Sequence, residues 1–173
     1  MSLDESKFPV IYLKSGEIYF TEEPVIVLTV LGSCVSVTLF HRRLGYSAIC
    51  HGLLPRCRGR DRCSDGCTES ARYVECSIKA MSRQFRHAGV RLQDLEARIF
   101  GGSDMFGATT LRGRHLSVGK ENIEIAVKTM EREGLQVSSM DVGGENGCKI
   151  YFNTLTGDVQ LKRLPPRVIL AGA

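Results

Sequence analysis

At 173 residues the chain has the length of one domain with a sizeable core, and 43% hydrophobic with 24% charged residues is an ordinary globular balance. The longest apolar stretch, 24–31, is too short to span a bilayer, and the polar start MSLDESKFPV lacks the regions of a secretory leader, so a cytoplasmic protein without membrane insertion is expected. A net charge of +4 admits an acidic partner without demanding nucleic acid, and seven cysteines are expected as thiols, metal ligands or catalytic groups rather than a disulfide framework.

Residues 25–31 (VIVLTVL) are β-branched and apolar, which predicts a strand buried on both faces. Gly32-Ser33 interrupts it just before Cys34. Val35, Val37 and Leu39 then alternate with Ser36 and Thr38 as a half-buried strand. A tight connection over 41–45 leads into a returning strand, 46–54, which Pro55 ends. Residues 56–66 read as a loop, and Thr68 is placed to cap the helix that follows. Ala71, Val74, Ile78, Met81 and Phe85 recur at steps of three and four, one apolar stripe, with Gly89 as its C-terminal cap. Leu95, Ala97 and Ile99 alternate as a strand running into Gly101-Gly102. A second helix is predicted over 120–132, burying Ile123, Ala126, Val127 and Met130, with Gly134 as its stop. Three strands close the chain, at 136–142, 148–152 and 159–164. No linker divides residues 1–173, so a single α+β domain is expected, with two main helices layered on mostly antiparallel strands.

The chemistry concentrates at Cys34 and His51. A thiol attacks a carbonyl carbon well only as thiolate, and an imidazole beside it takes the proton and later returns it to the leaving amine. The two residues flank the hairpin. If its centre lies between Arg42 and Arg43, Cys34 sits opposite His51; if the centre is Arg43, His51 faces Val35. Gly32-Ser33 lets a substrate carbonyl approach main-chain amides that can serve as an oxyanion hole. The competing reading makes Cys34 a buried core thiol and His51 a satisfied strand-end histidine.

Leu31-Gly-Ser-Cys-Val35 followed by His51-Gly-Leu-Leu-Pro55 resembles the two motifs of the CheD family of chemoreceptor glutamine deamidases. Arg72-Tyr73, Gly101-Gly-Ser-Asp-Met-Phe106, Gly119-Lys-Glu-Asn122, Asp141-Val-Gly-Gly144 and the closing hairpin from 149 to 164 follow in the family's order, so the resemblance spans nearly the whole chain. It implies an α/β/β sandwich similar to papain-type and bacterial toxin deamidases. It also implies a cofactor-free reaction, in which Cys34 attacks a receptor glutamine, ammonia leaves, and water hydrolyses the thioester to glutamate. His51 is then the base, oriented by a threonine shortly before the cysteine. Thr29 is the only threonine in that strand, and Leu28 takes its place if the spacing shifts by one. The implied partners are methyl-accepting chemoreceptors and a CheC-type phosphatase.

Other features have plainer readings beside functional ones. Gly101-Gly102 suits a tight bend, or a substrate backbone passing close. Ser103 and Asp104 cap a turn or touch substrate, and Asn122 near a helix start reads as a cap. Cys57, Cys63 and Cys67 depart from the family; they are surface thiols, a redox-formed pair, or metal ligands at a spacing unlike standard zinc sites. Cys76 and Cys148 read as packing residues. Arg56, Arg58, Arg60 and Arg62 form a solvated charged loop, or a dock for Glu-rich receptor helices. Two rival functions remain: a weakly catalytic or non-catalytic chemotaxis adaptor, and a metal-binding redox sensor built on the 57–67 loop.

Overall fold

The computed structural model describes residues 8–57, 70–104 and 117–166. Nine strands and two main helices follow in the order β1 (Val10–Tyr12), β2 (Ile18–Thr21), β3 (Ile26–Leu31), β4 (Val35–His41), β5 (Tyr46–Cys50), α1 (Val74–His87), β6 (Glu96–Gly101), α2 (Val118–Glu133), β7 (Val137–Val142), β8 (Cys148–Asn153) and β9 (Val159–Arg163) among the described residues. One sheet has the order β1-β3-β8-β9 and the other β2-β5-β4-β6-β7. Only β1–β3 and β6–β7 pair in parallel; the remaining ladders are antiparallel. The helices cover the five-stranded sheet, and its other face meets the four-stranded sheet. This is the layered α+β domain expected from the residues, in the α/β/β arrangement that the family resemblance implies.

Two apolar clusters hold the layers together. Val35, Val37, Leu39, Ala48 and Cys50 point from β4 and β5 toward Val74, Ile78, Met81 and Phe85 of α1 and Ala126 and Met130 of α2. The opposite face supplies Phe40, Ile49 and Phe100, which meet Val27, Leu31, Ile150 and Phe152 of the other sheet. Every residue of β4 is buried, so its alternating side chains serve both cores at once. Truncating Met81 or Phe85, both fully buried, to alanine would cost about 2–5 kcal/mol.

The helix boundaries follow their local signals. Ser117 caps α2 by accepting the Lys120 N–H, and Gly134 closes it in the left-handed conformation (φ 79°). Ile123 and Val127, expected in the core, are only half-buried, because the buried face of α2 runs through Ile125 and Thr129 instead. Tyr73 precedes α1 without a side-chain cap, and Thr68 lies outside the described residues.

Both hairpin registers considered from the sequence are corrected. His41 pairs with Tyr46 and Thr38 with Ile49, which centres the loop between Arg43 and Leu44. The four-residue loop 42–45 forms because the Leu44 N–H donates to His41 Nδ1 (3.1 Å), the Gly45 N–H to the His41 carbonyl (2.9 Å), and Gly45 takes φ 72°. Beyond the ladder, Val35 bridges Gly52, with N–H···O bonds of 3.0 and 2.9 Å in the two directions. The returning strand ends at Cys50 and continues only as isolated bridges. The strands at 10–12 and 18–21 were not foreseen; they are short, and the turn between them passes directly over His51.

Candidate active site

With Val35 facing Gly52, Cys34 and His51 are diagonal neighbours on one sheet face, positions about 7–8 Å apart at Cα in an antiparallel pair. That face looks toward the four-stranded sheet: Cys34 packs against the cluster between the sheets, and His51 reaches across to Thr29 on β3. The nucleophile and base candidates thus share one sheet, and the residue that orients the ring comes from the other.

Thr29 Oγ1 lies 2.7 Å from His51 Nδ1 and donates to the Leu13 carbonyl at 2.9 Å. A hydroxyl has one proton, and Leu13 receives it, so Thr29 must accept from Nδ1–H. The tautomer follows: Nε2 carries the lone pair. Ser15 Oγ, 3.4 Å from Nε2, donates weakly to it. Thr29 is fully buried whereas Leu28 is half-buried on the other face of β3, so it is Thr29 that meets the imidazole. The backbone of His51 is held as firmly, its N–H donating to the Glu17 carbonyl (2.9 Å) and its carbonyl accepting from Gly16 (2.8 Å).

Burial sets the protonation. It pushes the His51 imidazole down from 6.5 to about 4, against weaker upward pulls from the Leu13 carbonyl and Glu17. Burial also raises the Cys34 thiol, and its own backbone N–H, which interacts with the sulfur, pulls the other way. Both shifts favour the neutral forms of the two groups.

The turn carrying Cys34 is fixed from beneath. The carbonyls of Gly32 and Cys34 accept from the Ser103 and Gly102 amides (2.9 and 2.7 Å), and the Ser33 carbonyl accepts from Asn122 Nδ2 (2.9 Å). Gly101, at φ 93°, has no room for a side chain, since a Cβ would sit 2.4 Å from the Cys34 carbonyl oxygen. The bend reading of Gly101-Gly102 is the one the geometry supports. Ser103 is fully buried and donates to the Asn146 carbonyl (2.7 Å), so it braces a turn. Asn122 is no helix cap. It lies inside α2, past the Ser117 cap, and ties Ser33 to the Leu53 carbonyl (3.0 Å). No signal in the sequence points to this role, since a polar residue near a helix start reads as a cap.

Among the described residues no group of His, Cys, Asp or Glu is placed to hold a metal, and Cys34, Cys50, Cys57 and Cys148 are free thiols. Cys63, Cys67, Arg58, Arg60 and Arg62 lie outside the described residues. Cys50, Cys76 and Cys148 are buried, the last two as expected of packing residues. Beside the site, Leu54, Pro55, Arg56, Tyr73, Val118 and Glu121 line a cleft of about 340 Å³. No helix among the described residues is long and apolar enough to cross a membrane.

A family model described as CheD chemotactic sensory transduction matches residues 53–163. A "Probable chemoreceptor glutamine deamidase CheD 2" of Geobacter sulfurreducens is 45% identical over 95% of this chain and 96% of its own. The chain belongs to the CheD family. A second CheD relative, a "Probable chemoreceptor glutamine deamidase CheD" of Maridesulfovibrio salexigens, is 35% identical over 95% of this chain and 97% of its own. Among solved structures, that of the Bacillus licheniformis hypothetical protein YfiH aligns with a TM-score of 0.47 at 11% identity, covering 73% of this chain and 49% of the other. The CheD family model begins just past His51, whereas both CheD relatives align over nearly the full length.

Proposed function

We propose that this CheD-family protein is a chemoreceptor glutamine deamidase, with Cys34 as nucleophile, His51 as base and Thr29 as the residue that orients His51. The observation that carries the reading is the Leu13–Thr29–His51 chain, which commits Nδ1 to the interior and leaves the Nε2 lone pair, touched at 3.4 Å by Ser15, on the face shared with Cys34. When a glutamine carboxamide enters, the Cys34 thiol proton passes to Nε2 as the sulfur attacks the carbonyl carbon. The oxygen takes the negative charge, and the Cys34 amide, turned toward its own sulfur, stabilises it. His51 returns the proton to the nitrogen, and ammonia leaves a thioester. Water then gives a proton to Nε2 and attacks the acyl carbon; the C–S bond breaks, the thiolate recovers the proton, and glutamate is released.

An imidazole that burial lowers to about 4 is uncharged at neutral pH, so its lone pair is available, and once protonated it is a good acid toward the leaving amine; the same burial makes it a weaker base toward the thiol. We place the protein in the cytoplasm, where free thiols such as those at 34, 50, 57 and 148 persist. The adjoining cleft, apolar with Arg56 and Glu121 on its lining, suits a receptor helix that presents an apolar stripe between charged residues. A CheC-type phosphatase is the further partner implied by the family resemblance.

The test is ammonia release and glutamine-to-glutamate conversion on receptor fragments. Wild-type turnover with none in Cys34→Ala is expected. Full activity in Cys34→Ala would remove the nucleophile, and tight binding of a phosphatase without any turnover would favour the adaptor role.

A further inference from the structure

We propose that Asn122 is a positioning residue that aims the Cys34 amide and fixes the nucleophile turn against the His51 strand. The proposal rests on Cys34 and His51 being nucleophile and base. Three successive carbonyls, of Gly32, Ser33 and Cys34, accept hydrogen bonds. The outer two are held by backbone amides of the 102–103 turn. The middle one is held by the side chain of Asn122.

That middle carbonyl matters most. The Ser33 carbonyl and the Cys34 N–H belong to one planar trans peptide and point in opposite directions. Holding the oxygen down toward α2 turns the N–H up toward the reacting sulfur. The second Nδ2 proton goes to the Leu53 carbonyl, two residues beyond His51 on the facing chain. One amide group therefore spans the two segments that bring nucleophile and base together. Asn122 is fully buried, and its Oδ1 has no partner among the described residues. Donation to these two carbonyls is what the side chain is placed to do, at the expense of its own oxygen.

Leucine has the branched outline of asparagine with bulkier methyl ends and donates nothing, so Asn122→Leu removes both hydrogen bonds while adding some volume at a fully buried site. Asn122→Ala, which leaves room for water, is the second variant. Both are assayed as full chains for melting temperature, kcat and KM on a receptor fragment, and the rate of Cys34 alkylation by iodoacetamide beside a His51→Ala control. Misaiming by about 1 Å can cost on the order of 100-fold, so kcat is expected to fall about 10- to 100-fold with KM nearly unchanged. The alkylation rate is expected to move from the wild-type value toward that of His51→Ala. A folded variant with wild-type kcat and wild-type alkylation overturns the proposal, as does failure of both variants to fold, which would make Asn122 a folding determinant only. Alkylation needs no receptor. If the wild type releases no ammonia, the deamidase reading fails, while the alkylation comparison still decides the role of Asn122.

Discussion

Replacing Thr29 by valine keeps the β-branched shape and removes only the hydroxyl. Two buried groups then lose their partner, the His51 Nδ1–H at 2.7 Å and the Leu13 carbonyl at 2.9 Å. Each unsatisfied group costs about 1–3 kcal/mol, less whatever is recovered if Nδ1–H turns to the Leu13 carbonyl, which already interacts with the ring. A net loss of about 2–4 kcal/mol corresponds to a fall in Tm of roughly 5–15 °C for a domain of this size. The kinetic loss is distinct, because the ring no longer has a fixed tautomer. Taking about 1.5–3 kcal/mol for a partly compensated orienting bond, and 1.36 kcal/mol per decade, kcat should fall roughly 10- to 150-fold. Thr29→Ser restores the hydroxyl and should recover most of the rate. The assay is steady-state ammonia release at a temperature where all three proteins are folded, with thermal unfolding alongside. Wild-type kcat in a folded Thr29→Val would refute the orienting role and the tautomer assignment together.

The His51 shift has two consequences for pH. The acid limb of kcat/KM should fall near 4 rather than near 6.5, read from a rate profile over pH 3.5–7. Because the unfolded chain takes up this proton first, stability is lost as pH falls from about 6.5 toward 4, by up to about 3 kcal/mol, and His51→Gln should flatten that part of the Tm profile. An unchanged slope would place the linkage in other groups. Gly101→Ala combines a positive φ with a Cβ driven against the Cys34 carbonyl, and should cost about 2–5 kcal/mol by denaturant unfolding, with loss of turnover. Arg56→Glu leaves only a marginal 4.0 Å pair with Glu75 to lose, so stability should barely change. Its KM for receptor fragments should rise several-fold and depend less on salt; identical kinetics across ionic strengths would count against docking at this cleft.

Much of this was legible in the residues, because it depends on local pattern. The stripe from Val74 to Phe85 gave α1, the alternation from Val35 to Leu39 gave β4, and the Gly-Ser break marked the turn at Cys34. Thr29 entered only through the family resemblance, with Leu28 as the alternative, and it is the face that each presents from β3 that distinguishes them. What escaped was set by contacts across the fold. The hairpin centre depends on the His41 ring bonding the Leu44 amide, a choice invisible to strand periodicity. Asn122 looked like a cap because its two acceptors lie far away in sequence, in segments that meet only after α2 packs. The turn at 13–17 carries no strong pattern, yet Leu13, Ser15, Gly16 and Glu17 all bond to His51 or to Thr29. The pKa shifts of Cys34 and His51 were equally out of reach of the sequence, because burial, which only the packed fold sets, is their largest cause.

With the proposed nucleophile and base on one sheet and the threonine that meets the ring on the other, the proposed arrangement exists only where the two layers are stacked. Any change that loosens the seam between the sheets, far from Cys34 itself, is therefore expected to release the imidazole and lower turnover along with stability.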